Sequence, residues 1–147
     1  MTNEMLFAKM ELKELVDRFS DYSDLRDAKS LSELFTSDGV LEFQTGYDGE
    51  LQNLSGRETL YQAFSATLAP SKALYHINGQ HIVKLTGDNE AEGISHCQAS
   101  FVSDEDGKNY LTTNYIRYTD NYAKENGKWY IKRRRSTFVI TDKHEMN

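Results

Sequence analysis

The sequence predicts an α+β fold in which a strongly curved antiparallel sheet forms a cone around N-terminal helices. Apolar residues recur at helical spacing in the first half of the chain, whereas runs that alternate apolar and polar residues fill the second half. Asn126 and Gly127 stand between two such alternating runs, and this pair is a strong hairpin signal because both central residues of a type I′ turn need positive φ. Helices that precede the long strands in this way are typical of α+β proteins, where they cover one face of the sheet.

Three helices are predicted in the first half of the chain. Residues 28–35 form a short helix, and a third helix is capped by Ser55 with Glu58 as its capping-box partner, ending before Pro70. The first helix, residues 4–23, is long and amphipathic, and its apolar stripe consists of Leu6, Met10, Leu12, Leu15, Val16 and Phe19.

Five strands complete the predicted order α-α-β-α-β-β-β-β. One short strand precedes the third helix and four long strands follow it, over residues 40–43, 76–85, 91–102, 110–123 and 128–141. Residues 44–56 are predicted to form a loop at the mouth of the cone, and residues 142–147 a polar, frayed tail. The open end of such a cone is a natural small-molecule pocket.

Composition and charge limit the classes of function. A chain of 147 residues is predicted to form one domain over residues 1–147. Its net charge of −6 argues against nucleic-acid and anionic-membrane partners, and alternation divides its one basic cluster, residues 132–135, between two faces of a strand.

Cys97 is the only cysteine, so no internal disulfide forms. No apolar run approaches the ~20 residues of a membrane span, and no signal-peptide pattern opens the sequence, so the cytoplasm is the expected location.

Three segments of the chain resemble the SnoaL-like branch of the nuclear transport factor two-like superfamily. They are residues 19–40, with an acidic residue before a short helix, the stretch from His76-Ile-Asn78 to Ala91, and the stretch from Tyr118-x-Asp120 to Arg134. The resemblance covers nearly the whole chain and implies the cone-shaped α+β fold. It implies no single activity, because the superfamily includes isomerases, dehydratases, cyclases, epoxide hydrolases, oxygenase small subunits and non-catalytic modules.

The enzymes that the chain resembles most are the scytalone and bile-acid dehydratases, which imply that Asp24 and His76 form an acid/base pair. A carboxylate beside an imidazole fixes the imidazole tautomer and raises its basicity. Such a pair takes a proton from a carbon next to a carbonyl or helps a hydroxyl leave, as dehydration, isomerisation and aldol cyclisation require. Asn114, on a strand where related enzymes place a polar residue, would donate a hydrogen bond to a developing oxyanion. The alternative is that the three are a helix end, a core histidine and a sheet asparagine.

Five further residues are candidates for substrate binding: Phe19, Tyr22, His96, Tyr118 and Arg134. The two tyrosines are candidate hydrogen-bond donors or, more simply, wall or core residues, and His96 faces either the pocket or the core. Arg134 either neutralises an acidic substrate or forms an ion pair with the aspartate at position 120 across the hairpin, and the ion pair is favoured.

The remaining histidines and the cysteine carry no predicted chemical role. His81 and Cys97 are interpreted as structural, and His144 as solvated. His76 and His81 are an odd number of residues apart on one strand, which predicts that they point to opposite faces and argues against a metal site.

Two departures from the family's enzymes separate the functional hypotheses. Phe19 stands where the steroid isomerases and bile-acid dehydratases have a tyrosine, and Phe43 where the isomerases have a catalytic aspartate. The favoured hypothesis is a cofactor-independent lyase or isomerase that acts on a small, apolar or aromatic, oxygenated molecule. The alternatives are a non-catalytic ligand-binding or dimerisation module and the small subunit of an oxygenase.

A homodimer through the convex face of the sheet is expected, since Tyr110, Tyr115 and Tyr130 would otherwise be exposed.

Overall fold

The computed structural model, which describes residues 1–147, contains three helices and six strands. In chain order they are α1 (Asn3–Asp24), α2 (Ala28–Glu33), β1 (Phe35–Thr45), β2 (Gln52–Ser55), α3 (Arg57–Leu68), β3 (Ala73–Gly87), β4 (Glu90–Glu105), β5 (Lys108–Glu125) and β6 (Lys128–Glu145). The predicted segregation of helices and long strands, and with it the α+β class, is confirmed.

The six strands form one curved, unclosed sheet in the order β2-β1-β6-β5-β4-β3. Every neighbouring pair is antiparallel except β1 and β6, which run parallel. Register shifts interrupt the β1–β6, β3–β4 and β5–β6 ladders. Because an extra residue bends a strand and increases its twist, these bulges help the sheet to curve around the helices.

The two N-terminal helices begin at side-chain caps. The Thr2 hydroxyl accepts a hydrogen bond from the Met5 backbone N–H at 3.2 Å, and Asp27 Oδ1 accepts one from the Ser30 N–H at 3.1 Å. The buried face of α1 matches the prediction from Leu12 onward, but the predicted stripe residues Leu6 and Met10 are 47% and 61% exposed, as are the neighbouring Met5 and Phe7 at 37% and 60%.

The hairpin between β5 and β6 is the one that the sequence predicts. Asn126 and Gly127 have φ values of 52° and 81°, and they form a two-residue connection between Glu125 and Lys128. Asp106 and Gly107, with φ values of 55° and 80°, connect β4 to β5 in the same way.

Four details of the predicted helices and strands are wrong. Phe35 opens β1 instead of closing α2, because its side chain is fully buried in the core of the sheet. β2 lies inside the predicted loop 44–56 and pairs with β1, so a strand is added before α3. The cap residue of α3 is Gly56, with no side-chain hydrogen bond, so the capping box of Ser55 is not formed. β6 continues to Glu145, which lies opposite Tyr110, so most of the predicted frayed tail is paired.

The core lies between the helices and the inner face of the sheet. Its fully buried members come from all three helices and from β1, β5 and β6, and they include Leu12, Val16, Leu31, Phe35, Leu60, Tyr122 and Ile131. The basic cluster is divided between faces as predicted: Arg134 is fully buried on the inner face, whereas Arg133 and Arg135 pair with Glu42 on the outer face at 3.0 and 3.6 Å. None of the three helices has the length and apolar character needed to cross a membrane.

Candidate active site

A cavity of about 370 Å³ lies between the helices and the inner face of the sheet. Of its 21 lining residues, 14 are hydrophobic, and none is Asp, Glu, Lys or Arg. The apolar lining from β1, β2 and α3 consists of Leu41, Phe43, Leu54, Ala63, Phe64 and Leu68, and the long strands add further apolar residues such as Leu74, Phe101 and Ile116. The polar side chains come mainly from the four long strands, and include His76, Ser100, Asn114, Tyr118 and Ser136. A ligand would therefore meet a few polar side chains on the sheet, surrounded by hydrocarbon.

Asp24 and His76 meet at the edge of this cavity. Asp24 is the last residue of α1, and His76 lies near the start of β3. The His76 Nδ1 atom is 2.6 Å from Asp24 Oδ1, and the His76 backbone N–H donates to Asp24 Oδ2 at 3.1 Å. The imidazole is 11% exposed and the carboxylate 24%. Because an ionised carboxylate only accepts, Nδ1 carries the proton, and Nε2 is the ring nitrogen left for a ligand.

Asn114 lies on the same face of the sheet, two strands away from His76. In the register, His76 is opposite Ala99 and Ala99 is opposite Asn114, so the three form one row across β3, β4 and β5. Neighbouring strands are about 4.8 Å apart, which places the two polar residues roughly 10 Å apart with only a methyl group between them. Asn114 Oδ1 accepts a hydrogen bond from the Thr141 hydroxyl at 2.8 Å. The amide nitrogen of Asn114 is therefore its free group.

Arg134 lies deeper than the cavity, in the ion pair that the sequence favours. Its Nε and Nη2 donate to the two carboxylate oxygens of Asp120 at 2.9 and 2.8 Å, and both side chains are fully buried. The guanidinium carbon lies 3.8 Å from the ring centre of Tyr118 and 4.3 Å from that of Phe19. Burial disfavours the charge of Arg134, but the Asp120 carboxylate outweighs this and raises the arginine pKa.

Phe19 and Tyr118 separate Arg134 from the ligand space. Both line the cavity, and their rings meet edge to face with centroids 5.9 Å apart. Burial raises the pKa of Tyr118 far above its ordinary value, so its hydroxyl stays protonated. The two residues therefore form an aromatic floor with one neutral hydroxyl.

His81 belongs to the buried network behind this floor. Its Nε2 is 3.2 Å from the hydroxyl of Tyr122, which in turn donates to Asp120 at 2.8 Å. Burial lowers the pKa of His81, so its ring is neutral near pH 7. The prediction that His76 and His81 point to opposite faces is wrong, because the bulge between Asn78 and His81 reverses the alternation and turns both toward the helices.

Besides Arg134, two more of the predicted binding residues lie outside the cavity. His96 faces the outer side of the sheet, since its neighbours Ser95 and Cys97 occupy the buried inner face. It lines a shallow groove there together with Tyr115. Tyr22 packs against the edge of the core on α1 but is not among the cavity residues.

The sequence interpretation missed residues that support the site instead of touching a ligand. Asn78 contacts Asp17 and Ser20 of α1, and its signal was its position two residues after His76 on the same strand face. The cavity wall from β2 was also missed, because β2 is mostly exposed and shows no alternation. No group of three or more His, Cys, Asp or Glu side chains is placed so that it could hold a metal ion.

Comparisons with known proteins agree with this architecture. The model of the SnoaL-like domain matches residues 4–135. A candidate scytalone dehydratase from Novosphingobium aromaticivorans superposes with a TM-score of 0.82 at 19% identity, covering 100% of this chain and 94% of that protein. A hexachlorocyclohexane dehydrochlorinase, LinA type 2, gives 0.78 at 15% identity over 98% of this chain and 92% of its own. The Kfla4162 protein of Kribbella flavida gives 0.79 at 17% identity over 90% and 91%. No curated protein sequence matches the chain significantly. These structural likenesses show the shared fold.

Proposed function

The chain belongs to the SnoaL-like domain family, and from that premise we propose that it is a cofactor-independent lyase or isomerase of the dehydratase, isomerase or cyclase type. Its substrate is a small, apolar or aromatic, oxygenated molecule held in the cavity. The observation that carries the proposal is the hydrogen bond of 2.6 Å between Asp24 and His76 at the wall of a largely apolar cavity. Two structural neighbours, the candidate scytalone dehydratase and the dehydrochlorinase, are themselves named for eliminations.

In the proposed reaction His76 is the general base. Asp24 holds its ring by Nδ1 and its backbone by the N–H, so Nε2 is directed away from the carboxylate. Nε2 takes a proton from the carbon of the substrate beside the leaving group or carbonyl, and the imidazolium that forms is stabilised by Asp24. The same proton is then returned to a hydroxyl that leaves as water, or to another carbon in an isomerisation.

Asn114 is proposed as the donor that binds the oxygen on which negative charge develops. Its carbonyl oxygen is engaged by Thr141, which leaves the amide N–H groups for the substrate. Ala99 lies between Asn114 and His76 in the row, so a substrate ring can lie across the methyl group and reach both polar residues. Tyr118 is a second candidate donor, because its raised pKa keeps its proton in place.

The cavity also favours neutral substrates over anionic ones. No lining residue carries a fixed positive charge, and Arg134 already spends two of its nitrogen donors on Asp120. Burying a carboxylate here without a partner would cost several kcal/mol. The proposal therefore assigns Arg134 to the ion pair with Asp120 and not to the neutralisation of an acidic substrate.

The replacement of His76 by Ala tests the proposal. Purified protein is screened with hydroxy-ketones, steroids and polyketide-like aromatics for water loss and for exchange of substrate hydrogen with solvent deuterium. We expect H76A to lose turnover by roughly 10²–10⁴-fold, the usual contribution of a general base, with an unchanged circular dichroism spectrum. His144→Ala is the matched control, since that ring is exposed in the C-terminal part of β6. A fully active H76A protein would rule out this mechanism.

The second candidate function is a non-catalytic module that binds a small apolar ligand. Phe19 and Phe43 favour it, because both line the cavity at positions where the steroid isomerases have a tyrosine and a catalytic aspartate. The discriminating result is binding without chemistry: a ligand that is retained by the wild-type protein and equally by H76A, with no turnover by either, supports the module and contradicts the enzyme.

We also propose that the protein works in a reducing compartment, the cytoplasm. Its single cysteine, Cys97, is buried, and burial raises the pKa of the thiol, which keeps it protonated and unreactive. Cell fractionation checks this, and recovery of the protein from an extracellular or periplasmic fraction would contradict it.

A further inference from the structure

We propose that Asn78 is a positioning residue that holds β3 at the distance from α1 at which Asp24 and His76 form their hydrogen bond. The inference rests on the proposed function for its catalytic meaning, but its structural content concerns only how the pair is held together. Asn78 does not line the cavity of the site, so it is not itself a candidate catalytic residue.

The side chain of Asn78 is fully engaged with a single turn of α1. Its Oδ1 accepts from the Ser20 hydroxyl at 3.0 Å, and its Nδ2 donates to Asp17 Oδ1 at 3.0 Å and toward the Val16 carbonyl at 3.4 Å. Ser20 is 6% exposed. A polar side chain that uses both its acceptor and its donor on one neighbouring helix fixes the distance and the register between the two elements.

The spacing of these contacts matches that of the catalytic pair. Asn78 follows His76 by two residues on a strand, a distance of about 6.6 Å, and Ser20 precedes Asp24 by four residues on a helix, a rise of about 6 Å. The contacts Asp24–His76 and Ser20–Asn78 are thus two successive hydrogen bonds between α1 and β3, which run antiparallel to each other. Because the helix and the strand are both rigid over this length, the contact between Ser20 and Asn78 fixes the distance between Asp24 and His76.

β3 needs such an anchor because it is an edge strand. It pairs only with β4, and its ladder is interrupted by the bulge between Asn78 and His81. The segment of β3 that carries His76 therefore ends at a point where pairing is broken. Without the contact from Asn78, the hydrogen bonds to Asp24 would be the polar link that ties this segment to α1.

The test compares Asn78→Ala with Gln80→Ala, an exposed position on the same strand. The first readout needs no substrate: the proton in the bond between His76 Nδ1 and Asp24 Oδ1 gives a far-downfield NMR signal, which Asp24→Asn identifies by removing it. We expect N78A to lose or broaden this signal while circular dichroism shows a folded protein, and Q80A to keep it. Preserved signal position and intensity in N78A would overturn the proposal.

The second readout is kinetic, on a substrate that the wild-type protein turns over. We expect N78A to lower kcat by about 10²-fold, as misplacement by about 1 Å does, with little change in KM, because Asn78 lies outside the cavity. Ser20→Ala should also weaken the NMR signal. The double variant should lose no more signal or kcat than N78A, since both substitutions remove the same Ser20–Asn78 hydrogen bond. If N78A does not fold, S20A decides: an unchanged NMR signal in S20A overturns the proposal. A wild-type protein that shows the signal but no turnover would refute the proposed function and leave the positioning role supported.

Discussion

Arg134 is the residue whose placement most constrains the interior of the cone. A guanidinium with no exposed surface loses its hydration, and this loss is compensated by two charge-assisted hydrogen bonds to Asp120 and by the aromatic faces of Phe19 and Tyr118. Its third nitrogen, Nη1, is buried with no hydrogen-bond partner. The arginine therefore depends on one carboxylate for most of its stabilisation.

Replacing Asp120 by Asn should consequently destabilise the protein by about 3–5 kcal/mol, because it leaves a buried charge without its counter-ion. The measurement is the free energy of unfolding in urea at pH 7. Glu14→Gln is the control: Glu14 and its partner Arg18 are 64% and 51% exposed, so its loss should cost about 1 kcal/mol or less. Equal losses in the two variants would show that the buried pair has no special weight.

His81 makes stability depend on pH. Burial lowers its pKa in the folded protein below the ordinary value of 6.5, and the groups that face it are Tyr122, Asp120 and Arg134 from the sheet and Lys13 and Asp17 from α1. Below pH 6.5 the unfolded chain therefore binds a proton that the folded chain resists, so the free energy of unfolding falls as the pH is lowered toward the folded pKa.

We expect His81→Gln to show a smaller loss of unfolding free energy than the wild-type protein between pH 7 and pH 5, measured by urea titration at each pH. His144→Gln should follow the wild-type curve, because that side chain is 59% exposed. A His81→Gln curve parallel to the wild-type curve would contradict the assignment.

At the scale of elements, local signals predicted well and tertiary pairing did not. The turn at Asn126-Gly127 and the apolar stripe of α1 from Leu12 onward are encoded by neighbouring residues, and both are found where expected. β2 is mostly exposed, so no alternation marks it, and only its pairing with β1 makes it a strand. The end of β6 is also polar, and its pairing with β5 makes it a strand.

The site followed the same division. Asp24 and His76 came from a family resemblance, and their contact is a product of two elements 52 residues apart in sequence. Alternation failed at His81, because one bulge reverses the direction of every later side chain on β3. His96 was uncertain because strand parity says which residues share a face but not which face is covered; only the packing of the helices decides that.

The hairpin turn between β5 and β6 provides a test of backbone encoding. Gly127 has a φ of 81°, and an added Cβ would meet nothing within 4 Å, so Gly127→Ala acts only through the backbone. We expect it to destabilise the protein by about 1 kcal/mol, the usual penalty for an L-residue in this conformation. Gly87→Ala is the control, since its backbone is ordinary and the nearest atom to a new Cβ is 3.9 Å away. Thermal unfolding of both variants checks this, and an unchanged midpoint for Gly127→Ala would show that the turn tolerates a side chain.

At the scale of the whole molecule, the helices cover only one face of the sheet. The outer face carries a row in which Ile77 lies opposite Gln98, Gln98 opposite Tyr115, and Tyr115 opposite Ile140. The two isoleucines at its ends are 54% and 56% exposed. A second copy related by a two-fold axis would place the same row against itself, with Ile77 of each copy near Ile140 of the other, which is the self-complementarity that an isologous interface requires.

We therefore expect a homodimer through this outer face, because pairing removes the exposed isoleucines at both ends of the row from water. Sedimentation equilibrium should give twice the chain mass of 16.9 kDa. Ile77→Asp should shift the equilibrium to single chains, since it places a charge at the end of the row that meets Ile140 of the other copy, with no partner of opposite sign in the row. Met10→Asp is the control: Met10 is 61% exposed on α1, on the other side of the sheet, and its change should leave the mass unaltered. A wild-type mass of one chain, or of more than two, would refute the dimer, and an Ile77→Asp dimer would place the interface elsewhere.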